Sequence, residues 1–330
     1  MIDPNTAMEA AKEGATALTK LQEIIQKVFG PTWTRKQADA DAYADQQKLN
    51  TIRDNPDMRI AYVNGKMHAR QYTVEELSQR AQQRMLAESI RQERNLENVI
   101  DIASGELSYQ NDNVSDAPVD EDWISRFFNI AKDVNSEEMQ CIWGKILAGE
   151  IASPGSFSLR TLDTIRNIGK KEADAFQKIL PIVVKGGGTF FITSDNDLLK
   201  KYGIIYSEIL LLKECGLINS DFGLNINKTI GQGDKLTCFN DKLAVIIQGT
   251  DTEKVKISFD IMALTHVGVE LFNILLFKPN KDSILDLAEV IRQSNKKADV
   301  AIAVYEVTQI TENAIYYDES VPVKVFEKEG

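Results

Sequence analysis

The sequence predicts a mainly α-helical chain with a C-terminal α+β part: long N-terminal helices, a central helical domain, and a winged-helix-like module ending in a small strand–helix–helix–strand region. Three observations carry that prediction. Apolar residues recur at three- and four-residue steps through most of residues 7–180, the mark of helices with one buried face. One stretch, Ser108 to Asp122, is poor in apolar residues and rich in acids. Beyond the triple glycine Gly186-Gly-Gly188 the period shortens towards strand-like alternation. A chain of 330 residues also exceeds one ordinary core. The expected division is a helical arm at 1–107, an acidic linker at 108–122, a central helical domain at 123–185 and an α+β module at 186–330.

The first helix runs from Ala7 to Phe29, where Gly30-Pro31 stops it. Leu18, Leu21, Ile25 and Val28 form a narrow stripe, suited to pairing with one other helix. A membrane-surface role is the alternative. Such helices favour basic polar faces, whereas this one mixes Glu13 and Glu23 with Lys12, Lys20 and Lys27. A second helix, Arg35 to Ile52, is broken by Asn55-Pro56-Asp57, and Arg59 to Lys66 reads as a short strand and turn. Thr73 and Glu76 make a capping box for a third helix reaching about Leu107. Its apolar seam drifts between Ile90 and Leu96, so it is no strict heptad coiled coil.

After the linker, Trp123, Phe127, Ile130 and Ala131 share a helical face. Asn135 with Glu138 suggests a capped helix to Ala148, with Gly149 as its C-cap. Ser158 is the expected N-cap of Leu159–Asn167, and Lys170–Leu180 ends before Pro181. Thr189–Thr193, Leu243–Ile247 and Val255–Leu264 read as strands, Ser207–Cys215 as a helix, and Thr265 as the start of another. A helix at Ser283–Gln293 and a strand at Asp299–Thr308 close the chain. Helix, Gly216-Leu-Ile218, paired strands and Leu264-Thr-His-Val-Gly-Val-Glu-Leu271 follow an order met in winged-helix modules.

The segment Trp143-Gly-Lys-Ile-Leu-Ala-Gly-Glu150, then Pro154-Gly-Ser-Phe-Ser-Leu-Arg-Thr-Leu162, resembles the core of an uncharacterised bacterial family of unknown function, with the pattern W-x-x-I-L-A-G-E / P-G-x-F-S-x-R-T-L. Glu172-Ala-Asp-Ala-Phe176 fits a third element of that pattern, and weaker likeness extends through Arg91–Glu97 and Leu264–Leu271. The resemblance implies no activity. It implies a bacterial setting in accessory or prophage-like regions, and through that a link to phage defence.

Read physically, the motif is a core corner. Trp143, Ile146 and Leu147 fill the interior, and Pro154-Gly155 turns the chain. The functional alternative is an anion site at Glu150, Ser156, Ser158 and Arg160, with the arginine beside a helix N-terminus. No catalytic set is legible: there is no nucleophile elbow, and two distant histidines do not suggest a triad. Gly186–Thr189 lacks the lysine of a phosphate loop and reads as a flexible connection. Asp251-Thr-Glu-Lys254 has the residue types of a metal nuclease but the look of a solvated turn. Cys141, Cys215 and Cys238, with only His68 and His266 beside them, lack zinc spacing and fit a reducing compartment. No metal or cofactor is expected.

The net charge of −11 disfavours nucleic acid as a partner, because phosphate neutralisation needs a basic surface. Lys200, Lys201 and Lys213 are the candidate nucleic-acid contacts if the module is a winged-helix regulator. With 43% hydrophobic and 26% charged residues the chain is globular, and its richest apolar run, Val267–Phe277, is too short to span a membrane. The N-terminus has no basic-then-apolar leader, so a cytoplasmic location is expected. The leading expectation is a non-enzymatic interaction or assembly protein that self-associates through its N-terminal helices. A regulator binding nucleic acid is the alternative, and an enzyme or toxin with scattered carboxylates stands third.

Overall fold

A computed structural model describes residues 4–29, 62–63, 66–67, 74–109, 114–219, 221, 224–311 and 314–326. The helix expected at 35–52 and the cap at Thr73 lie outside these residues, as does part of the linker. The chain divides into two compact units, Met1–Leu162 and Asp163–Gly330. No helix among the described residues is long and apolar enough to cross a membrane.

The first unit is helical. It holds α1 (Pro4–Phe29), a small hairpin of β1 (Tyr62–Val63) and β2 (Lys66–Met67), α2 (Val74–Tyr109), α3 (Glu121–Ala131), α4 (Glu137–Ala152) and the start of α5 (Leu159–Asn167). Of the expected α1 stripe, Leu21 and Ile25 are buried, Leu18 is half-buried and Val28 is exposed; Ala17 and Ile24 are buried as well, and α1 packs against α2 and α4. α2 packs along α4, and Ile90, Leu96, Val99, Ile100, Ala103 and Leu107 of the one and Trp143, Ile146, Leu147 and Ile151 of the other are buried. Each large aliphatic side chain contributes roughly 1.5–3 kcal/mol by leaving water. Phe127 lies 5.1 Å from the Trp123 ring and 5.2 Å from that of Trp143.

Buried amides fix the register of these helices. Asn95 donates to the Lys132 carbonyl at 2.9 Å and to Asn135 at 3.1 Å. Gln140 donates to Asn95 at 3.1 Å and to the Val134 carbonyl at 2.8 Å. Two caps differ from the expected ones. Ser136, not Asn135, accepts the N–H that starts α4, because Asn135 is engaged by Asn95 and Arg91. Gly149 does not end α4, which runs to Ala152. Glycine is needed there because a β-carbon would lie 2.7 Å from the Phe157 ring.

The second unit overturns the expected fold class. The chain is not mainly helical: the described residues are 52% helix and 22% strand, and one ten-stranded antiparallel sheet dominates the C-terminal half. After α6 (Lys170–Ile179) and a 3₁₀ turn come β3 (Val184–Gly186) and β4 (Thr189–Thr193). Next are α7 (Asn196–Lys201), α8 (Tyr206–Glu214), β5 (Ile218–Asn219), β6 (Asn225–Ile230), β7 (Lys235–Phe239), β8 (Leu243–Gly249) and β9 (Val255–Leu264). The chain closes with α9 (His266–Ile274), α10 (Lys281–Ser294), β10 (Val300–Ile310), β11 (Ile315–Tyr317) and β12 (Lys324–Phe326). The strand order is β11-β10-β8-β7-β3-β4-β9-β5, with β12 also on β10 and β6 also on β9.

The winged-helix-like module and the strand–helix–helix–strand region are therefore not separate bodies. β8 and β9, expected as wing strands, lie inside the sheet, and β10 pairs with β8 from Val300↔Gly249 to Glu306↔Leu243. Ile284, Leu287, Ala288 and Ile291 of α10 join Val245, Ile247, Ile257, Phe259, Ile302 and Val304 in the core. The triple glycine is a tight hairpin turn, not a flexible connection. Gly186 pairs with Thr189, and Gly187 and Gly188 take φ of 59° and 84°, both in the left-handed region a two-residue hairpin requires.

Candidate functional site

The corner after α4 is built around Glu150. This carboxylate is 1% exposed, and its two oxygens accept the N–H groups of Gly155 at 2.6 Å and Phe157 at 2.9 Å. A buried polar group is tolerated when it is hydrogen-bonded, and here the backbone of the turn supplies donors. Ser156 donates to the Ser153 carbonyl at 2.6 Å. Ser158 caps α5, accepting the Thr161 N–H at 3.2 Å. The Trp123 indole donates to the Phe157 carbonyl at 2.8 Å, tying α3 to the same turn. Glu150, Ser156 and Ser158 thus shape the backbone of one corner. Arg160 is exposed on α5. The corner holds the chain's direction, with three of the four candidate residues engaged in that task.

The candidate nucleic-acid contacts each face an acid. Lys200 lies 3.6 Å from Asp197, Lys201 lies 2.6 Å from Asp286, and Lys213 lies 2.8 Å from Asp221. Asp286 also accepts the Tyr202 hydroxyl, and burial together with that bond pushes the tyrosine well above its ordinary range. All three lysine side chains stay substantially exposed beside these carboxylates.

A third location emerges only from the sheet. The β3–β4 turn, β6 and β7 surround a cleft lined by Gly187, Gly188, Thr189, Asn227, Lys228 and Thr237, with Ile226, Leu236 and Ile261 towards its floor. Lys228 is exposed and stands midway between buried Ile226 and Ile230 on β6. Its ammonium donates to the Lys235 carbonyl at 3.0 Å. Lys235 in turn lies 2.6 Å from Glu319, whose hydrogen bond raises the lysine against the lowering effect of burial. Cys238 belongs to the same sheet interior. Its thiol is pushed up to about 12 by burial, with the Lys228 charge pulling the other way.

The cleft combines an apolar floor, polar walls and two ammonium groups, which suits recognition of an elongated polar ligand. Sequence reasoning missed it because Asn225-Ile-Asn-Lys-Thr-Ile230 is too polar to read as a strand. One signal was present: isoleucines at 226 and 230 with lysine midway fit a period of two, with one charge between them.

The family model described as "Protein of unknown function (DUF2806)" matches residues 79–288, from α2 into α10, and includes both the Glu150 corner and the cleft. No curated protein matches the chain, and no solved structure does. The match covers more than half of the sequence and bears out the resemblance to a family of unknown function, so the chain belongs to the DUF2806 family.

Proposed function

We propose that this chain is a bacterial, cytoplasmic interaction protein that assembles with a second copy of itself, rather than an enzyme. The observation supporting this reading is the set of apolar side chains left exposed at the β12 border of the sheet. Val321, Val323 and Val325 lie 67%, 48% and 56% exposed in the segment that pairs with β10. Exposed apolar residues on an edge strand invite association with another chain. Leu21 and Ile25 of the α1 stripe are buried within their own unit, while Val28 is 40% exposed; the reading assigns assembly to the sheet border. A link to phage defence belongs to the same proposal and rests on the prophage-like setting the family resemblance implies.

Light scattering on the full chain tests the assembly reading. A dimer that becomes monomeric in Val323→Lys/Val325→Lys supports it. A monomeric wild-type protein at micromolar concentration overturns it.

A further inference from the structure

Apolar side chains exposed singly are ordinary on a protein surface. Leu276 has company. It is 90% exposed, and the next most exposed large hydrophobic among the described residues, Tyr206, is 68% exposed. The leucine lies in the connection from α9 to α10, Leu275-Leu-Phe-Lys-Pro-Asn280, where Leu275 and Phe277 on either side of it are only half-buried. The Phe277 ring lies 4.8 Å from that of Phe272, and Phe272 lies 5.2 Å from Phe190 on β4. All three rings are half-buried, so an apolar surface runs from β4 to the loop that carries the leucine.

Both ends of that loop are fastened. The Leu275 N–H donates to the Leu271 carbonyl at 3.2 Å, and the Asn280 N–H to the Pro181 carbonyl at 2.8 Å. Leu276 is therefore held out on a short tethered connection, as a projection and not a groove.

Charge gives the projection a preference. The chain carries a net charge of −11, yet the charged residues on this surface are lysines. Lys278 follows Phe277, and the Lys185 ammonium lies 5.4 Å from the Phe190 ring centre and 5.9 Å from that of Phe239. Neither lysine has an ion-pair partner among the described residues, whereas Lys281 meets Glu306 at 3.1 Å. Asp282, the acid nearest to Lys278 in sequence, shares a helix face with Asp286, which bonds Tyr202. The rings tilt against one another at 51° and 49°, so they offer no flat platform on which nucleic-acid bases stack. An aliphatic tip backed by unpaired lysines instead matches the boundary of an anionic bilayer, where acyl chains take the leucine and headgroups the ammonium groups.

We propose that the α9–α10 loop docks this chain reversibly onto an anionic lipid bilayer. Leu276 enters the acyl boundary, and Lys185 and Lys278 meet the headgroup phosphates. The loop shares no residue with the β12 border, so the inference stands independently of the assembly reading.

Co-sedimentation of the full chain with vesicles tests it. Vesicles of equal parts phosphatidylglycerol and phosphatidylcholine should bind the protein at low salt, and pure phosphatidylcholine vesicles about tenfold more weakly. Leu276→Asp, at an exposed position, should weaken binding at least tenfold with an unchanged thermal melt. Lys278→Gln should weaken it about fivefold. In the Leu276→Trp variant, lipids brominated on their acyl chains should quench indole emission beyond the quenching seen in wild type. No binding to the anionic vesicles at low salt overturns the proposal, as does equal binding by Leu276→Asp. Equal binding to both kinds of vesicle also overturns it, because the lysines then have no role. Self-association lost in Leu276→Asp, without vesicle binding, would make the tip a protein contact and equally overturn it.

Discussion

Gly144 faces Ile102 where α4 crosses α2, and a β-carbon on the glycine would sit 2.6 Å from the isoleucine β-carbon and 3.2 Å from the Val99 carbonyl. The two helices approach this closely only because one of them carries no side chain at the crossing. Alanine favours a helix by about 1 kcal/mol over glycine, so propensity and packing oppose each other here. Packing is expected to win: Gly144→Ala should destabilise the protein by about 1–3 kcal/mol, the usual cost of an overfilled core. Ile102→Ala should relieve only part of that, because the isoleucine β-carbon remains. Urea denaturation of the two single variants and the double variant measures both effects.

Glu150 and Arg160 should behave oppositely. Glu150→Ala leaves the buried N–H of Phe157, and that of Gly155, without their carboxylate acceptor, and each such loss costs about 1–3 kcal/mol. Arg160→Ala removes an exposed side chain and should stay within about 0.5 kcal/mol of wild type. A larger loss at Arg160 than at Glu150 would show that the corner has been misread.

The three cysteines should react in order of exposure. Cys141 is exposed, Cys215 half-buried and Cys238 fully buried. Burial, with Glu172 and Glu214 adding to it, also raises the Cys215 thiol. Titration with an aromatic disulfide at pH 8 should give a fast thiol that Cys141→Ser abolishes, a slower one, and a third that reacts only in denaturant. Because the folded Cys238 thiol is pushed up to about 12 from an ordinary 9, its contribution to stability is intact below pH 9 and fades as pH climbs towards 12.

Acid should weaken the Glu289 cluster. Arg292 donates to this carboxylate at 3.0 and 2.6 Å and Gln293 at 2.6 Å, which lowers it to about 2 from 4.5. A depressed carboxylate stabilises the fold above its unfolded value and loses that effect as pH falls through the folded one. The window is therefore pH 4.5 down to about 2. The pair is partly exposed, so the effect should be about 0.2–1 kcal/mol. Thermal melts of wild type and Glu289→Gln should differ at pH 6 and converge near pH 2.

Local patterns in the sequence revealed most helices and the long strands, but not how those strands combine. Ser158 acts as the cap expected of it, and Thr265 caps the helix expected to start near it, because a cap needs only neighbours in sequence. Gly149 misled for the complementary reason: it serves a contact with Phe157, eight residues on, and not the end of a helix. β6 escaped notice because Asn227, Lys228 and Thr229 are all exposed, which permits polar residues at three consecutive positions where an interior strand carries apolar ones. β8, with Leu243 to Ile247 all buried, read plainly as a strand. Its partner β10 lies more than fifty residues away in sequence, and no local pattern encodes that pairing. The Glu150 corner was legible as structure, since its turn and cap are contiguous; the cleft required the sheet.

Trp143 carries a consequence of another kind. Its indole N–H is buried without a hydrogen-bond partner among the described residues, against the Phe127 ring. An indole held in so dry a setting emits at the blue end of its range, whereas Trp123, bonded to a carbonyl, does not share that isolation. The first unit therefore contains its own optical reporter, and a red shift in its emission will announce the entry of water before the helices themselves come apart.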